Sequence, residues 1–256
     1  MDKTLVILLG NARGGETTWN TMYEHLLKPF NADLALLFGE STDKSASLYS
    51  RAKYVWELPE YSNWREYYEK SCKGNWSEFF EKNQTTGMSG GIDNYIGSGA
   101  IIIAFRHYLK NNFSDILLKY DRIILTRADY YYLKDHPVES NEFFYIVEGE
   151  DYNGLCDRHH VFPSSIYEKV LGVGEFISEV ACSHRILNIE SALHSCYSHH
   201  ALLSSIKRCE RVQFAVKLKT DTTRWSTENQ LLEGSDNLYI KYPSEYAVAL
   251  RNKHHE

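Results

Sequence analysis

Two apolar runs, Thr4 to Leu9 closed by Gly10 and Asp33 to Phe38 closed by Gly39, flank a stretch from Thr18 to Leu27 with helical spacing. Runs that are apolar at nearly every position suit strands covered on both faces, and such strands are typically parallel and joined by helices. The opening therefore predicts a β-α-β unit whose ligand binds beyond the carboxyl ends of the strands. Ala52 to Leu58 mixes β-branched and aromatic residues before Pro59 and predicts a third strand.

The next segment, Tyr61 to Gly91, is polar, aromatic and punctuated by glycine. It predicts a helix around Trp64 to Lys70 and a mobile or substrate-covering piece around Gly87 to Gly91. Gly99 to Tyr108 reads as a buried helix, Ile116 to Tyr120 as the end of a helix or turn, and Arg122 to Leu125 as a strand. Phe143 to Val147 predicts another strand, followed by a loop from Glu148 to Ser165. Ser164 or Ser165 is placed to cap a helix carrying Tyr167 to Leu171. A helix over Asn188 to Leu203 and a last strand over Val212 to Leu218 complete the pattern, leaving a polar tail. No internal repeat or heptad is present.

The chain has 256 residues, 43% of them hydrophobic, which suits one large α/β domain better than two small ones. A net charge of -6 argues against a general nucleic-acid or anionic-membrane binder, because those need a basic face. The apolar run Leu5 to Leu9 is too short for a signal-peptide core, and no run reaches the roughly eighteen residues of a membrane span. A cytoplasmic protein is expected. The five cysteines, Cys72, Cys156, Cys182, Cys196 and Cys209, are widely spaced and form no C-x-x-C pair, so they read as free thiols. The sequons at Asn75, Asn83 and Asn112 matter only on a secretory route. Nineteen tyrosines are compatible with sugar- or base-stacking clefts, although ordinary packing accounts for most such residues.

Candidate chemistry concentrates in D-R-I-I-L-T-R-A-D-Y-Y-Y-L, where a buried strand runs into Thr126, Arg127 and Asp129 and then three tyrosines. A carboxylate just past a strand end suits a divalent ion that neutralises a diphosphate. Asp129 holds that position, with Tyr131 beside it as a candidate acceptor contact. The loop Gly10 to Gly15 (G-N-A-R-G-G) links the first strand to a helix starting near Thr17 or Thr18. The backbone of Gly10, Asn11, Gly14 and Gly15 can receive a nucleotide or its phosphates there, with Arg13 supplying charge. The loop matches neither a P-loop nor a G-x-G-x-x-G fingerprint.

In C-D-R-H-H, Asp157 is a candidate general base, and His159 and His160 are candidate metal or acceptor ligands. Glu190, near the start of its helix, is the rival base, although an acid in a first helical turn is favoured by the dipole alone. Arg106 lies with His107 on an otherwise apolar helix, and a buried arginine needs an anionic partner, either a phosphate or a structural carboxylate.

Together, I-L-L-G-N-A-R-G-G, G-S-G-A-I-I-I-A-F-R, Y-D-R-I-I-L-T-R-A-D-Y-Y-Y and C-D-R-H-H resemble a small GT-A-like glycosyltransferase family associated with viruses of unicellular algae and surface-polysaccharide gene sets. The resemblance covers roughly the first two hundred residues. It implies a Rossmann-like, mixed and mostly parallel central sheet with helices on both faces. It also implies a UDP-glucose-like nucleotide-sugar donor, a glycan or glycoprotein acceptor, Mn2+ or Mg2+, and, for a viral member, host cytoplasm.

R-A-D-Y resembles the D-x-D motif of such enzymes, with Arg127 where the first aspartate stands. That departure puts ribose contact by the first motif position in doubt and makes Arg127 a nucleotide-site residue. The single domain, 1–256, then divides into a nucleotide-binding half, about 1–130, and an acceptor half, about 131–256. Two candidate base carboxylates favour inversion at the transferred carbon. The rivals are a nucleotide-sugar hydrolase or nucleotidyltransferase on a similar sheet, and a non-enzymatic carbohydrate-binding module using the tyrosines.

Overall fold

A computed structural model describes residues 2–138, 140–221 and 230–253. Strands β1 (Thr4–Gly10), β2 (Asp33–Gly39), β3 (Tyr54–Leu58) and β4 (Arg122–Thr126) form where the apolar runs place them. They are followed by β5 (Tyr130–Tyr132), β6 (Phe144–Val147), β7 (His160–Pro163), β8 (Ile206–Cys209), β9 (Gln213–Leu218) and β10 (Leu238–Ile240).

Seven strands make one sheet in the order β3-β2-β1-β4-β7-β6-β8. β1 is parallel to both β2 and β4, and β2 is parallel to β3. β7 runs antiparallel between β4 and β6, and β6 is parallel to β8. The fold is thus α/β with a mostly parallel, mixed central sheet, compatible with a Rossmann-like arrangement. Leu5, Val6, Ile7 and Leu8 have no exposed surface. Because successive side chains point to opposite faces, β1 must be covered on both.

The sheet order creates the place for a ligand. From β1 the chain steps to β2 and β3 on one side, then crosses back to put β4 on the other. The connections leaving β1 and β4 therefore diverge, and a crevice opens at their carboxyl ends. Helix Gly15–Met22, continued by a wider turn over Tyr23–Leu27, follows β1. The long helix Gly99–Leu117 precedes β4 and departs from helical geometry at Phe113.

Several expected boundaries moved. Most of the segment Tyr61 to Gly91 is packed, since helices Arg65–Ser71 and Trp76–Lys82 bury Tyr67, Tyr68, Phe79 and Phe80, while Gly91 at its end reaches the cleft. Strand β7 occupies the end of what reads as a loop to Ser165. Ser164 caps nothing, because its hydroxyl donates instead to the Tyr120 carbonyl at 2.5 Å. The helix over the Asn188 region spans Ile189–His199 and is capped by Asn188 and Ser191 reciprocally.

The polar tail holds the largest departure. β10 pairs with β9, which pairs with β5, making a second, antiparallel sheet, and the helix Pro243–Lys253 follows. Strands from the second half of the chain thus both extend the main sheet and build a smaller one beside it. Among the described residues no helix is long and apolar enough to cross a membrane.

Glu245, on that last helix, ties these pieces together and is fully buried. Its carboxylate accepts from the Ala215 amide of β9 at 2.8 Å and from Arg158 Nη1 at 2.7 Å, and lies 3.2 Å from Arg211 Nη1. Removing one partner of a buried ion network leaves the other charges uncompensated, at about 3–5 kcal/mol. Glu245→Ala is expected to lower the unfolding free energy in urea by about that much; a loss within the scatter of surface substitutions would show that the network does not hold the small sheet in place.

Candidate active site

A cleft of about 590 Å³ opens at the carboxyl ends of β1 and β4. Its walls come from the end of β1 and the following loop, the end of β4, the first turns of helix Gly99–Leu117 and the residues before it, and residues just before β7 and just after β10. Five basic side chains line it, Arg13, Arg106, Arg127, Arg158 and Lys241, against three acidic ones, Glu60, Asp129 and Asp157. A volume of this size suits a small ligand, and the excess of positive charge suits an anionic one.

The β1 loop is held against the end of β4 by geometry that excludes larger residues. Gly14 has φ +95°, and a Cβ there would lie 3.1 Å from Asp129 Cα and 3.2 Å from the Ala128 carbonyl oxygen. The Gly14 carbonyl accepts from the Thr18 hydroxyl, and the Arg13 carbonyl accepts from Trp19 Nε1. Gly10, Asn11 and Arg13 consequently reach the cleft. Gly14 and Gly15, expected to touch a nucleotide, instead seat the loop, with Gly15 packed against Leu218.

Asp129 lies just past β4 and is buried. Its oxygens accept from Arg127 Nε at 2.7 Å and Arg127 Nη2 at 2.6 Å, and Lys241 Nζ stands 3.5 Å from Oδ2. Burial pushes the Asp129 carboxyl upward. The charge and hydrogen bonds of Arg127, then Lys241 and Arg13, outweigh it, so the group sits well below the usual carboxylate range. Burial lowers the Lys241 pKa, with Asp129 opposing. The amide of Val216 on β9 donates to the Asp129 carbonyl, fixing the backbone. The side chain assigned to a metal by resemblance is thus committed to two cations, and as placed it does not present itself to a third.

Arg106 is almost fully buried on helix Gly99–Leu117, yet reaches the cleft. Its Nη2 donates to the Asp157 carbonyl at 2.9 Å and meets His160 Nδ1 at 3.3 Å, and Nη1 is 3.4 Å from the Tyr197 hydroxyl. Its Nε has no partner, and no carboxylate lies within ion-pair distance of it among the described residues. A buried guanidinium without a counter-charge is costly. Of the two partners open to Arg106 from the sequence, the structural carboxylate is not found among the described residues.

His159 and His160 do not reach the cleft; both are fully buried. His160 Nε2 donates to the Cys156 carbonyl at 2.7 Å, so Nδ1 is free to accept from Arg106. His136 Nδ1 donates to the Pro137 carbonyl, so its Nε2 accepts from His159 Nε2 at 3.0 Å, and His159 Nδ1 accepts from the Thr126 hydroxyl. Burial lowers the pKa of all three rings, His136 to about 4, and keeps them neutral. The histidines brace Thr126 and Arg106 from behind. Tyr131 also misses the cleft and packs on Phe214, 5.6 Å between ring centroids.

Asp157 lines the cleft with its side chain largely buried, and Arg158 Nε lies 3.8 Å from its Oδ1. Glu190 lies outside the lining. Its backbone is clamped at the start of its helix: the Leu155 amide donates to the Glu190 carbonyl, and a Cβ on Gly154 would meet that oxygen at 2.1 Å. Burial first and the charge of Asp157 second raise the Glu190 carboxyl to about 7. Sequence reasoning missed Arg158, Lys241 and Tyr242. Arg158 stood inside C-D-R-H-H, and the alternating L-Y-I-K-Y before Pro243 was a legible sign of a strand running into a helix.

A comparison with protein-family models gave no match, and a comparison with curated proteins gave none either.

The raised Glu190 carboxyl has a consequence for stability. In the unfolded chain it ionises near its ordinary value of 4.5, whereas in the fold it holds its proton to about 7. Its contribution is therefore full below 4.5 and lost as pH rises through 7. Glu190→Gln is expected to melt higher relative to wild type at pH 8 than at pH 4; a difference independent of pH would show that Glu190 is ionised throughout.

Proposed function

We propose that the chain is a glycosyltransferase that takes a sugar from a nucleoside diphosphate-sugar, UDP-glucose or a close analogue, and passes it to a hydroxyl of a glycan acceptor. The observation that carries the reading is the cationic cleft at the switch point, with Arg106 buried in its wall and lacking a carboxylate partner. Crevices at this point of a mostly parallel sheet are where nucleotides bind. The mixed sheet and the carboxylate placed just past β4 support the GT-A type that the sequence resembles.

In this reading Gly10, Asn11 and Arg13 meet the nucleotide, and Arg127, Lys241 and Arg106 meet the diphosphate. Asp157 is the group in the cleft suited to take the acceptor proton. The acceptor oxygen forms its bond to the sugar carbon as the bond to the diphosphate breaks. The proton goes to Asp157 and the electron pair leaves with the diphosphate, a single displacement that inverts configuration.

Calorimetric titration with UDP and UDP-glucose tests the reading. Wild type is expected to bind both, and Arg106→Met to weaken binding about tenfold or more, which is 1.4 kcal/mol per decade. Asp157→Asn is expected to keep donor affinity and lose about 10²–10⁴ in turnover with an acceptor. Silence toward UDP, GDP and dTDP sugars alike, with glycans bound directly, would replace the transferase with a carbohydrate-binding module. Release of free sugar as the main activity would instead make it a hydrolase.

A further inference from the structure

The resemblance assigns Asp129 to a divalent ion, and the side chains around it do not fit one. Both oxygens of Asp129 are engaged by Arg127, at 2.7 and 2.6 Å, and Lys241 Nζ is 3.5 Å away. Arg13 adds a third positive charge to the same surroundings. A divalent ion would have to displace Arg127 from its bidentate pair with the buried Asp129 and then sit among three cations.

The same residues are well arranged for a diphosphate. Arg127 uses Nε and Nη2 on Asp129. Its Nη1 remains for an incoming oxygen, and Lys241 is a compact cation that can turn from one oxygen to another. Gly97 and Ser98 also line the cleft at the amino end of helix Gly99–Leu117, whose first turn no side chain caps. Its amides and dipole therefore add positive potential. A second observation points to an anion independently: Arg106, on that helix, is buried with Nε unpartnered.

We propose that this cleft neutralises the diphosphate of its ligand with side-chain cations, Arg127 and Lys241 foremost, in place of a divalent ion. Asp129 is then a positioning residue. It holds the two cations toward the cleft and balances their charge when the site is empty, and the entering diphosphate shares them. The cations also face the charge that grows on the departing diphosphate, where preorganised donors are most effective. The assignment rests on the nucleotide-sugar reading for the identity of the ligand, but not for its charge.

The test titrates UDP and, separately, inorganic pyrophosphate into the full chain, each in EDTA and in MnCl2. Wild type, Asp129→Asn, Lys241→Met and Lys241→Arg are compared, with thermal melting to show that each variant is folded. The expected result is a Kd that changes by less than roughly threefold between EDTA and manganese, weakened about tenfold or more by Lys241→Met and largely restored by Lys241→Arg.

Asp129→Asn should still bind pyrophosphate in EDTA. Binding that requires manganese and vanishes in Asp129→Asn would overturn the proposal while leaving the nucleotide-sugar reading in place. Pyrophosphate bound in EDTA through Lys241, with nucleotide sugars inert, would uphold the proposal and remove that reading. Failure of every diphosphate in both buffers would overturn both.

Discussion

Glu245 is the charge on which the architecture turns. A carboxylate with no exposed surface must be matched by donors, and its partners come from separate parts of the chain: Arg158 before β7, Arg211 between β8 and β9, and the Ala215 amide within β9. Matching it brings the last helix onto the small sheet and brings both against the end of the main one. Arg158, fixed in this way, stacks on Tyr242 at 4.3 Å from its ring centroid and lines the cleft. The scaffold and the site therefore share one ionic network.

That sharing explains the character of the cleft. Arginines are expensive to hold near a low-dielectric wall unless something balances them. Arg158 is balanced by Glu245, and Arg127 by Asp129. Arg106 has only neutral partners: the Asp157 carbonyl, a neutral His160 and the Tyr197 hydroxyl. Neutral acceptors orient a guanidinium without cancelling its charge, so the wall keeps a net attraction for an anion. The buried histidines contribute in the same indirect way. Their tautomers are forced in sequence from the Pro137 and Cys156 carbonyls, and they hold Thr126 and Arg106 without adding charge.

The parts of the fold legible in the sequence were those decided locally. β1, β2 and β4 announce themselves because strands buried on both faces are apolar throughout, and Asp129 stands out because a charge follows directly on such a strand. What was missed depends on distant partners. β10 has three residues, too short an alternation to stand as a strand by itself, and exists because β9 offers it an edge. The fate of His159 was set by Thr126 and His136, respectively 33 and 23 residues away, so a loop-like pair of histidines became a buried brace. Gly14 was legible as a turn. Its close approach to Asp129 belongs to the packing of two segments more than a hundred residues apart.

The pair Arg127 and Asp129, its carboxylate buried and its guanidinium partly exposed, is weak evidence for stability, since an ion pair taken out of water often does no better than an apolar replacement. Its position gives it another use. A bidentate contact two residues apart fixes the guanidinium plane beside the cleft, and Lys241 reaches the same carboxylate from beyond β10. The main-sheet strands through β4 thus supply the arginine and its counter-charge, and the small sheet supplies the lysine. An anion site built from these three groups is complete only when the small sheet has docked. The C-terminal strand and helix, which read as a featureless tail, are therefore part of the site and not an appendage to it.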